Sequence, residues 1–276
     1  MPELPEAEVV ARQLGARVLG ATIKDVWLGR PDIVRQGLDT LDWYRGAAIT
    51  GIDRRGKSVI LSLAKASDTR YLIAELGMTG LLLFQGVPVR HPQHLHLMLT
   101  MDGGQEPELR YWNPRRFGRI HLLDKPGLDR FLVKRFGCDP LTVSWEEFRR
   151  LVGRRRGRLK ALLMHQQVIA GIGNIYANEI LHRARLHPHH TASRLKSERV
   201  RRLFDVVREV LTDAIRHGGS SVRDFIAPDG TQGLFTRRHL VYNKAGRPCP
   251  SGCGSRIRRL PGDRTSFYCP FCQRLR

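Results

Sequence analysis

Four cysteines near the end of the chain have the spacing of a metal site. They form two close pairs, Cys-x3-Cys and Cys-x2-Cys, separated by fifteen residues. Two tight turns of this kind each present two thiolates, which suits the tetrahedral coordination of Zn²⁺. Because four sulfur ligands leave no position for water, the predicted ion is structural and stabilises a module too small to fold alone. The predicted ligands are Cys249, Cys253, Cys269 and Cys272.

The charge of the chain indicates a polyanionic partner. The chain has 47 Lys and Arg against 26 Asp and Glu, a net charge of +21. Because this charge recurs along the whole chain, nucleic acid is favoured over a merely solvated basic surface or a membrane. No window has the roughly 20 apolar residues of a spanning helix, and the acidic start differs from a signal peptide, so we expect a cytoplasmic protein. Four arginines between the cysteine pairs are candidates for phosphate contacts: Arg256, Arg258, Arg259 and Arg264.

The first half of the chain has the pattern of a β-domain preceded by a helix. Residues 6–14 have helix-forming composition, and the helix is predicted to end near Gly15. Alternation of apolar and polar residues then predicts a series of strands, which together indicate a β-sandwich or a barrel. The predicted strands cover residues 21–28, 58–64, 71–84, 94–101 and 109–123.

The middle of the chain has a helical pattern. A capping box starts one helix, with Ser144 three residues before Glu147. A later helix with a continuous apolar stripe is stopped by Gly218 and Gly219. After the helix at Ser144, the predicted helices cover residues 159–165, 175–183 and 197–217.

Two loops of this region could serve a DNA-binding protein. The loop 166–174 contains glycines that allow backbone N–H groups to approach a phosphate, and Asn174 is predicted as the N-cap of the helix that follows. The loop 226–235 is rich in turn residues and is predicted to be mobile. The chain is therefore predicted to contain three domains, at residues 1–125, 126–235 and 236–276.

Five motifs in sequence order resemble those of the formamidopyrimidine-DNA glycosylase family, rather than those of the sibling endonuclease VIII branch. They are Pro2-Glu3-Leu4-Pro5-Glu6, Leu76-Gly77-Met78-Thr79-Gly80, Pro114-Arg115-Arg116-Phe117-Gly118, Gly171-Ile172-Gly173-Asn174-Ile175-Tyr176 and the terminal cysteines. The resemblance implies an α+β multidomain protein with an N-terminal β-sandwich, a helical helix-two-turn-helix domain and a C-terminal zinc finger. It also implies a bacterial, nucleoid-associated monomer that binds damaged double-stranded DNA.

The resemblance implies that the N terminus performs the chemistry. Removal of Met1 would expose the secondary amine of Pro2, which the family uses as its nucleophile, and an α-amino group titrates at about 8 in reference peptides. Glu3 matches the residue that moves protons at the sugar, and Glu6 matches a further family position. The implied enzyme excises oxidised purines, such as 8-oxoguanine and formamidopyrimidines, and cuts the strand through the same amine in base excision repair.

Other matching positions imply contacts with DNA. Lys57, Asn174 and Arg264 match the residues that grip phosphates around the lesion, and His94 matches a further contact. Because the damaged nucleotide must be flipped out of the duplex, something must fill the space it leaves. Three residues match the family's filling residues, although a methionine and a phenylalanine in β-segments more often belong to a core: Met78, Arg115 and Phe117.

The chain departs from the family pattern at four places, none of which removes a residue that the reaction needs. Glu75 stands where many relatives have a histidine that touches phosphate, and Leu95 stands where an aspartate is usual. Trp112-Asn113 replace the common residues before Pro114, and the first cysteine pair is spaced by three residues instead of two. Two other functions remain open: a non-catalytic DNA-binding module with the same fold, and a sibling enzyme that prefers oxidised pyrimidines.

Overall fold

The computed structural model describes residues 2–89, 91–222, 224–262 and 264–275. The chain divides into two compact units. One unit is formed by Met1–Lys134 and His217–Thr236, and the other by Arg135–Arg216 and Arg237–Arg276. The segment 217–236 thus makes its contacts with the β-rich unit, although the sequence pattern assigned residues 217–235 to the helical domain.

The first unit begins with helix α1, Leu4–Val18. The helix is longer than the predicted 6–14 and continues through Gly15. Its buried positions Val10, Leu14 and Val18 are four residues apart, so the face that packs against the core extends beyond the glycine. Burial of this face therefore outweighs the roughly 1 kcal/mol that glycine costs within a helix.

A nine-stranded ladder follows, in the order β2-β9-β5-β4-β3-β1-β7-β8-β6. Among the described residues of this ladder, only β2 and β9 pair in parallel, and the β1–β3 pairing has a single register pair, Thr22↔Ala48. One connected cluster of buried residues draws side chains from every strand and from α1, so the ladder bends at this junction into two packed layers. The strands are β1 Thr22–Leu28, β2 Val34–Gln36, β3 Ala48–Arg55, β4 Ser58–Lys65, β5 Asp68–Glu75, β6 Leu81–Phe84, β7 Leu95–Asp102, β8 Glu108–Trp112 and β9 Arg119–Leu123.

The strand predictions are correct in place but differ in detail. The predicted strand 71–84 is two strands, β5 and β6, separated by a turn in which Gly77 has a φ of 60°. The predicted strand 109–123 is likewise divided into β8 and β9 around Pro114. Strand β3 was not predicted, because its exposed polar positions and Gly51 hide the alternation that marks a strand.

The second unit is built from helices and a small hairpin. Ser144 caps helix α3, Trp145–Gly153, as predicted, because its Oγ accepts a hydrogen bond of 3.2 Å from the Glu147 N–H. Helix α6, Ser197–Arg216, ends before Gly218 and Gly219, whose φ values of 73° and 79° favour glycine. The other elements of this unit are α4 Leu159–Met164, α5 Asn174–Arg183, β10 Arg258–Leu260 and β11 Ser266–Tyr268. Helix α2, Lys125–Arg135, belongs to the first unit except for its last residue.

The predicted α+β class, with an N-terminal β-sandwich, a helical domain and a C-terminal cysteine module, is confirmed. Within the described residues, no helix combines the length and the apolar character that crossing a membrane requires.

Candidate functional site

The N-terminal residues form a buried acidic site. Pro2 is buried, and Glu3 and Glu6 are each 1% exposed. The Glu3 N–H donates to Glu6 Oε2 at 2.7 Å, and Glu6 Oε1 accepts the Ser220 N–H at 2.7 Å. Glu6 therefore joins the start of α1 to the segment 217–236 and holds the backbone beside Pro2 in place.

Gly219 makes this contact possible. Its φ is +79°, and a Cβ at this position would lie 2.8 Å from Glu6 Oε1. A larger residue would therefore displace the carboxylate that supports Glu3. The sequence identified Gly219 only as a helix stop, because its contact lies more than 200 residues away in the chain.

Lys57 lies at the tip of the β3–β4 hairpin. Because Arg55 pairs with Ser58, Gly56 and Lys57 form a two-residue turn, and Gly56 has a φ of 59°. Arg54 Nε donates to Glu8 Oε2 on α1 at 2.7 Å. The helix that carries Pro2 and the hairpin that carries Lys57 are thus joined by a partly buried ion pair.

The Arg54–Glu8 pair predicts a pH-dependent stability. Burial opposes the ionisation of Glu8, but the hydrogen bonds and charges of Arg54 and Arg12 outweigh it and hold its pKa below the ordinary value. The stabilisation is therefore complete above about pH 5 and is lost as the pH falls through the lowered pKa of the folded state. Glu8→Gln is expected to lower the free energy of unfolding by about 1–2 kcal/mol at pH 7, and by progressively less in acid.

Urea unfolding from pH 7 to pH 3 measures this effect. The Arg54 side chain is 7% exposed and that of Arg12 is 65% exposed, so Arg54→Met should be clearly more destabilising than the matched Arg12→Met. A constant difference between Glu8→Gln and the parent protein across this pH range would contradict the assignment.

Two interlocked loops, 76–80 between β5 and β6 and 113–118 between β8 and β9, carry the predicted filling residues. Met78 is 37% exposed and Phe117 is 57% exposed, so neither belongs to the core. The Arg115 guanidinium carbon lies 4.9 Å from the centre of the Phe117 ring. The loops touch at Gly77, where a Cβ would lie 2.4 Å from the Gly118 nitrogen. All three predicted filling residues thus lie on one surface feature.

A buried polar network supports these loops. Asn113 Nδ2 donates to the Tyr111 hydroxyl at 3.1 Å, which in turn donates to the Glu75 carbonyl at 2.7 Å. The Thr79 hydroxyl donates to Asn113 Oδ1 at 3.2 Å and accepts the Arg115 N–H at 3.3 Å. Burial raises the pKa of Tyr111, which keeps it a donor. Asn113 is one of the departures from the family pattern. It links both loops, because its Oδ1 accepts from Thr79 and its Nδ2 donates to Tyr111.

Glu75 and His94 differ in their surroundings. Glu75 Oε2 lies 2.8 Å from Nε2 of the buried His121, and His121 Nδ1 lies 3.1 Å from Gln36 Oε1. The Glu75 carboxylate, which stands where relatives have a phosphate-touching histidine, thus has a histidine partner. His94 is half-buried, with its ring centre 6.2 Å from that of Trp112.

The structure corrects one prediction for Asn174. Its helix is capped by Gly173, which is extended, and Asn174 is already the first helical residue. The glycine leaves the chain free to adopt the extended cap geometry, so no side-chain cap is present there. Asn174 remains half-buried at the helix N terminus, and its Oδ1 accepts a hydrogen bond of 3.3 Å from Asn178 Nδ2.

Arg264 is exposed, and its backbone is held by a residue that the sequence pattern did not reveal. Lys160 is 6% exposed, and its Nζ donates to the carbonyls of Arg264 and Thr265 at 3.0 and 2.8 Å. It also donates to Ser266 Oγ at 3.0 Å. In the sequence, Lys160 is one more cation in a basic stretch, so no local signal distinguishes it.

Glu179, also missed, joins α5 to the chain before the cysteine module. Its side chain is fully buried and accepts three backbone N–H groups, from Leu240, Val241 and Tyr242, at 2.7, 3.0 and 2.9 Å. Burial raises the pKa of the Glu179 carboxyl, while the three N–H donors favour its charged form. A glutamine would offer an acceptor at only one of the two positions, so the site favours glutamate.

Replacement of Glu179 with Gln is expected to destabilise the second unit by about 2–4 kcal/mol, because the amide NH₂ would face a backbone donor. Thermal unfolding and limited proteolysis of the C-terminal region measure the effect. The matched control is Glu209→Gln, since Glu209 is 64% exposed in its pair with Arg183 and should contribute under about 1 kcal/mol. Equal effects of the two changes would refute this role.

The four predicted ligands come together. Their Sγ atoms all lie within 4.8 Å of one another, and no disulfide joins them. The Cys249–Cys272 and Cys253–Cys269 sulfur separations are 3.9 and 3.5 Å. Four sulfurs at about 2.3 Å from a tetrahedral Zn²⁺ lie about 3.8 Å apart, so the arrangement fits the ion. Gly252, with a φ of +67°, forms the turn of the longer first pair.

Comparison with known proteins agrees with this architecture. Residues 1–120 match the formamidopyrimidine-DNA glycosylase N-terminal domain, and residues 136–226 match the H2TH domain of the same family. A formamidopyrimidine-DNA glycosylase of Solibacter usitatus is 38% identical over 99% of this chain and 100% of its own length.

Two solved structures are similar over nearly the whole chain. The MutM (Fpg) protein of Thermus thermophilus is 37% identical, with a TM-score of 0.86 over 99% of this chain and 98% of its own. The Lactococcus lactis Fpg in complex with DNA containing an abasic site is 33% identical, with a TM-score of 0.85 over 99% of this chain and all of its own. The chain belongs to the formamidopyrimidine-DNA glycosylase family.

Proposed function

We propose that this protein is a bifunctional DNA glycosylase and AP lyase that excises oxidised purines, namely 8-oxoguanine and formamidopyrimidines, from double-stranded DNA. The observation that carries the proposal is the buried Pro2-Glu3 terminus, supported through Glu6 by the segment 217–236. A relative solved with abasic DNA supports the same substrate class.

The amine of Pro2 is the proposed nucleophile. Once Met1 has been removed, this secondary amine precedes the N terminus of α1, where the positive end of the helix dipole opposes its protonation. Its nitrogen attacks the sugar C1′, the glycosidic bond electrons leave with the base, and the proton lost from the nitrogen neutralises the departing base. Glu3, beside the amine, protonates the ring oxygen O4′ as the sugar opens, which leaves an iminium between Pro2 and C1′.

The same intermediate accounts for strand cleavage. The iminium acidifies the hydrogens on C2′, so loss of one proton allows the 3′ phosphate to leave by elimination. A second elimination releases the 5′ phosphate, and hydrolysis of the iminium restores the Pro2 amine. Glycosylase and lyase activities thus use one nitrogen atom.

Both units contribute to the proposed grip on the DNA backbone. Lys57 and His94 in the first unit, and Asn174 and Arg264 in the second, are proposed to contact phosphates. Lys160 supports this role of Arg264 by fixing its carbonyl. The helix N terminus at Asn174 adds a positive partial charge.

The interlocked loops are proposed to fill the space left by the flipped nucleotide. Phe117, more than half exposed, would wedge between bases, and Met78 would occupy the void. Arg115, stacked on Phe117, would hydrogen-bond to the orphaned base. The buried network around Asn113 holds the two loops in place in the absence of DNA. This reduces the entropy that is lost when the loops are ordered on binding.

The remaining assignments follow from the same function. One structural Zn²⁺ would be held by the four cysteines, and the protein would act as a cytoplasmic, nucleoid-associated monomer. Functionally we divide the chain into a catalytic β-sandwich at 1–125, a helical DNA-binding domain at 126–235 and a zinc finger at 236–276. Within this division, residues 217–235 belong structurally with the catalytic unit.

Borohydride trapping on duplex DNA containing 8-oxoguanine tests the proposal. Reduction of the iminium should give a covalent protein–DNA adduct whose linkage maps to Pro2. Absence of an adduct from protein with a verified Pro2 terminus would favour a non-catalytic DNA-binding module. The second comparison uses an otherwise identical duplex that contains an oxidised pyrimidine. If the protein excised this pyrimidine faster than 8-oxoguanine, the assigned substrate class would be wrong.

A further inference from the structure

A histidine in the last turn of α5 lies against the cysteine cluster. His182 is 3% exposed, and its Nε2 lies 3.6 Å from the Sγ of Cys249, which is itself buried. Helix α5 therefore contacts the cysteine module at two places. One is its final turn, and the other is Asn178, whose Oδ1 accepts a hydrogen bond of 2.7 Å from the Phe267 N–H.

The surroundings of the ring indicate which nitrogen carries the proton. His182 Nδ1 is buried and has no hydrogen-bond partner among the described residues. A buried N–H without an acceptor is rarer in proteins than an unused acceptor. The proton is therefore placed on Nε2, where the nearby sulfur accepts it.

We propose that His182 is a hydrogen-bond donor to the zinc site, which stabilises the Cys249 thiolate and slows release of the metal. The proposal rests on occupancy of the four-cysteine site by Zn²⁺. A tetrathiolate zinc centre has a net charge of −2, and burying that charge is costly unless donors surround it. Donors next to a metal ligand also orient it and tune its affinity for the metal.

His182 acts through Cys249 and is not itself a ligand. The four Sγ atoms lie within 4.8 Å of one another and are enough for a four-coordinate ion, and the histidine is outside that group. A donor to a second sulfur comes from the backbone, since the Cys272 N–H lies 3.4 Å from Cys269 Sγ. Side-chain and backbone donors thus stabilise different members of the cluster.

The test measures zinc release from the full-length, zinc-loaded protein into an excess of a colorimetric chelator. His182→Phe preserves the ring volume and removes the donor, and is expected to release zinc about tenfold faster. His182→Gln retains an N–H donor and should restore part of the difference. The control His190→Gln alters another buried histidine of the same unit, whose Nε2 also has no described partner, and should leave the rate unchanged.

Cobalt substitution supplies an independent readout. Loss of the donor in His182→Phe should shift the sulfur-to-cobalt charge-transfer band to lower energy while the tetrahedral ligand-field bands persist. If His182→Phe had the same release rate and spectrum as the parent protein, the proposal would be overturned. It would also be overturned if the spectrum of the cobalt-substituted parent protein showed coordination by three sulfurs and one nitrogen. Metal analysis of the parent protein separates the two levels of inference, because a protein purified without zinc would refute the proposed zinc site itself.

Discussion

Pro2→Gly is expected to reduce excision of 8-oxoguanine by about a thousandfold or more while the protein still binds damaged DNA. The loss arises because the buried pyrrolidine holds its nitrogen in one orientation beside Glu3, whereas a terminal glycine presents a primary amine with greater backbone freedom. Affinity should survive because the proposed phosphate contacts do not involve Pro2. Single-turnover excision and equilibrium binding at one salt concentration measure the two quantities separately.

Pro5→Gly is the matched control for this prediction. Pro5 lies in the first turn of the same helix and is buried like Pro2, so the chemical change and the local environment are similar. Pro5→Gly should lower stability with only a modest effect on excision. If the two variants lost excision equally, or if Pro2→Gly lost binding and excision together, the assignment of Pro2 as the nucleophile would be wrong.

Removal of zinc is expected to weaken DNA binding on the order of a hundredfold at physiological salt. The small core of the cysteine module contains Val241, Ile257 and Phe267 beside two of the cysteines, which is too little apolar surface to fold without a metal. Its unfolding would release Arg264 and the other arginines of the module. Because these arginines would then no longer neutralise up to about four phosphates, the slope of log affinity against log salt should fall by about 3–4.

Chelation followed by zinc addition tests this prediction in a single preparation. The β-rich unit should keep its thermal transition during chelation, because its buried cluster contains none of the cysteine-module residues. Binding and salt slope should return when zinc is restored. An unchanged salt slope in metal-depleted protein would show that the module does not contact phosphates.

The strand and helix predictions were correct where the sequence signal lies within a few neighbouring residues. Helix α6 and the Ser144 cap were predicted correctly because an apolar stripe and a capping residue act within a few positions. Strand β3 and the extension of α1 were missed because their apolar faces are recognisable only against the layers that cover them. Asn174 was predicted as a cap because the flexibility of Gly173 has no side-chain signature.

The sequence by itself determined the four-cysteine cluster, the catalytic candidates at the N terminus, the family and the α+β class. Each of these depends on the types of residues and on short spacings between them. A single turn or secondary-structure element places such closely spaced residues next to one another. Only the tertiary structure decided which residues support them. Ser220 and Gly219 contact Glu6, and Asn113 hydrogen-bonds within the interlocked loops. Lys160 holds the Arg264 carbonyl, and His182 contacts Cys249. Glu6 and Ser220 are 214 positions apart, and Lys160 and Arg264 are 104 apart. Such pairs arise from the packing of whole elements, so no local pattern in the chain specifies them.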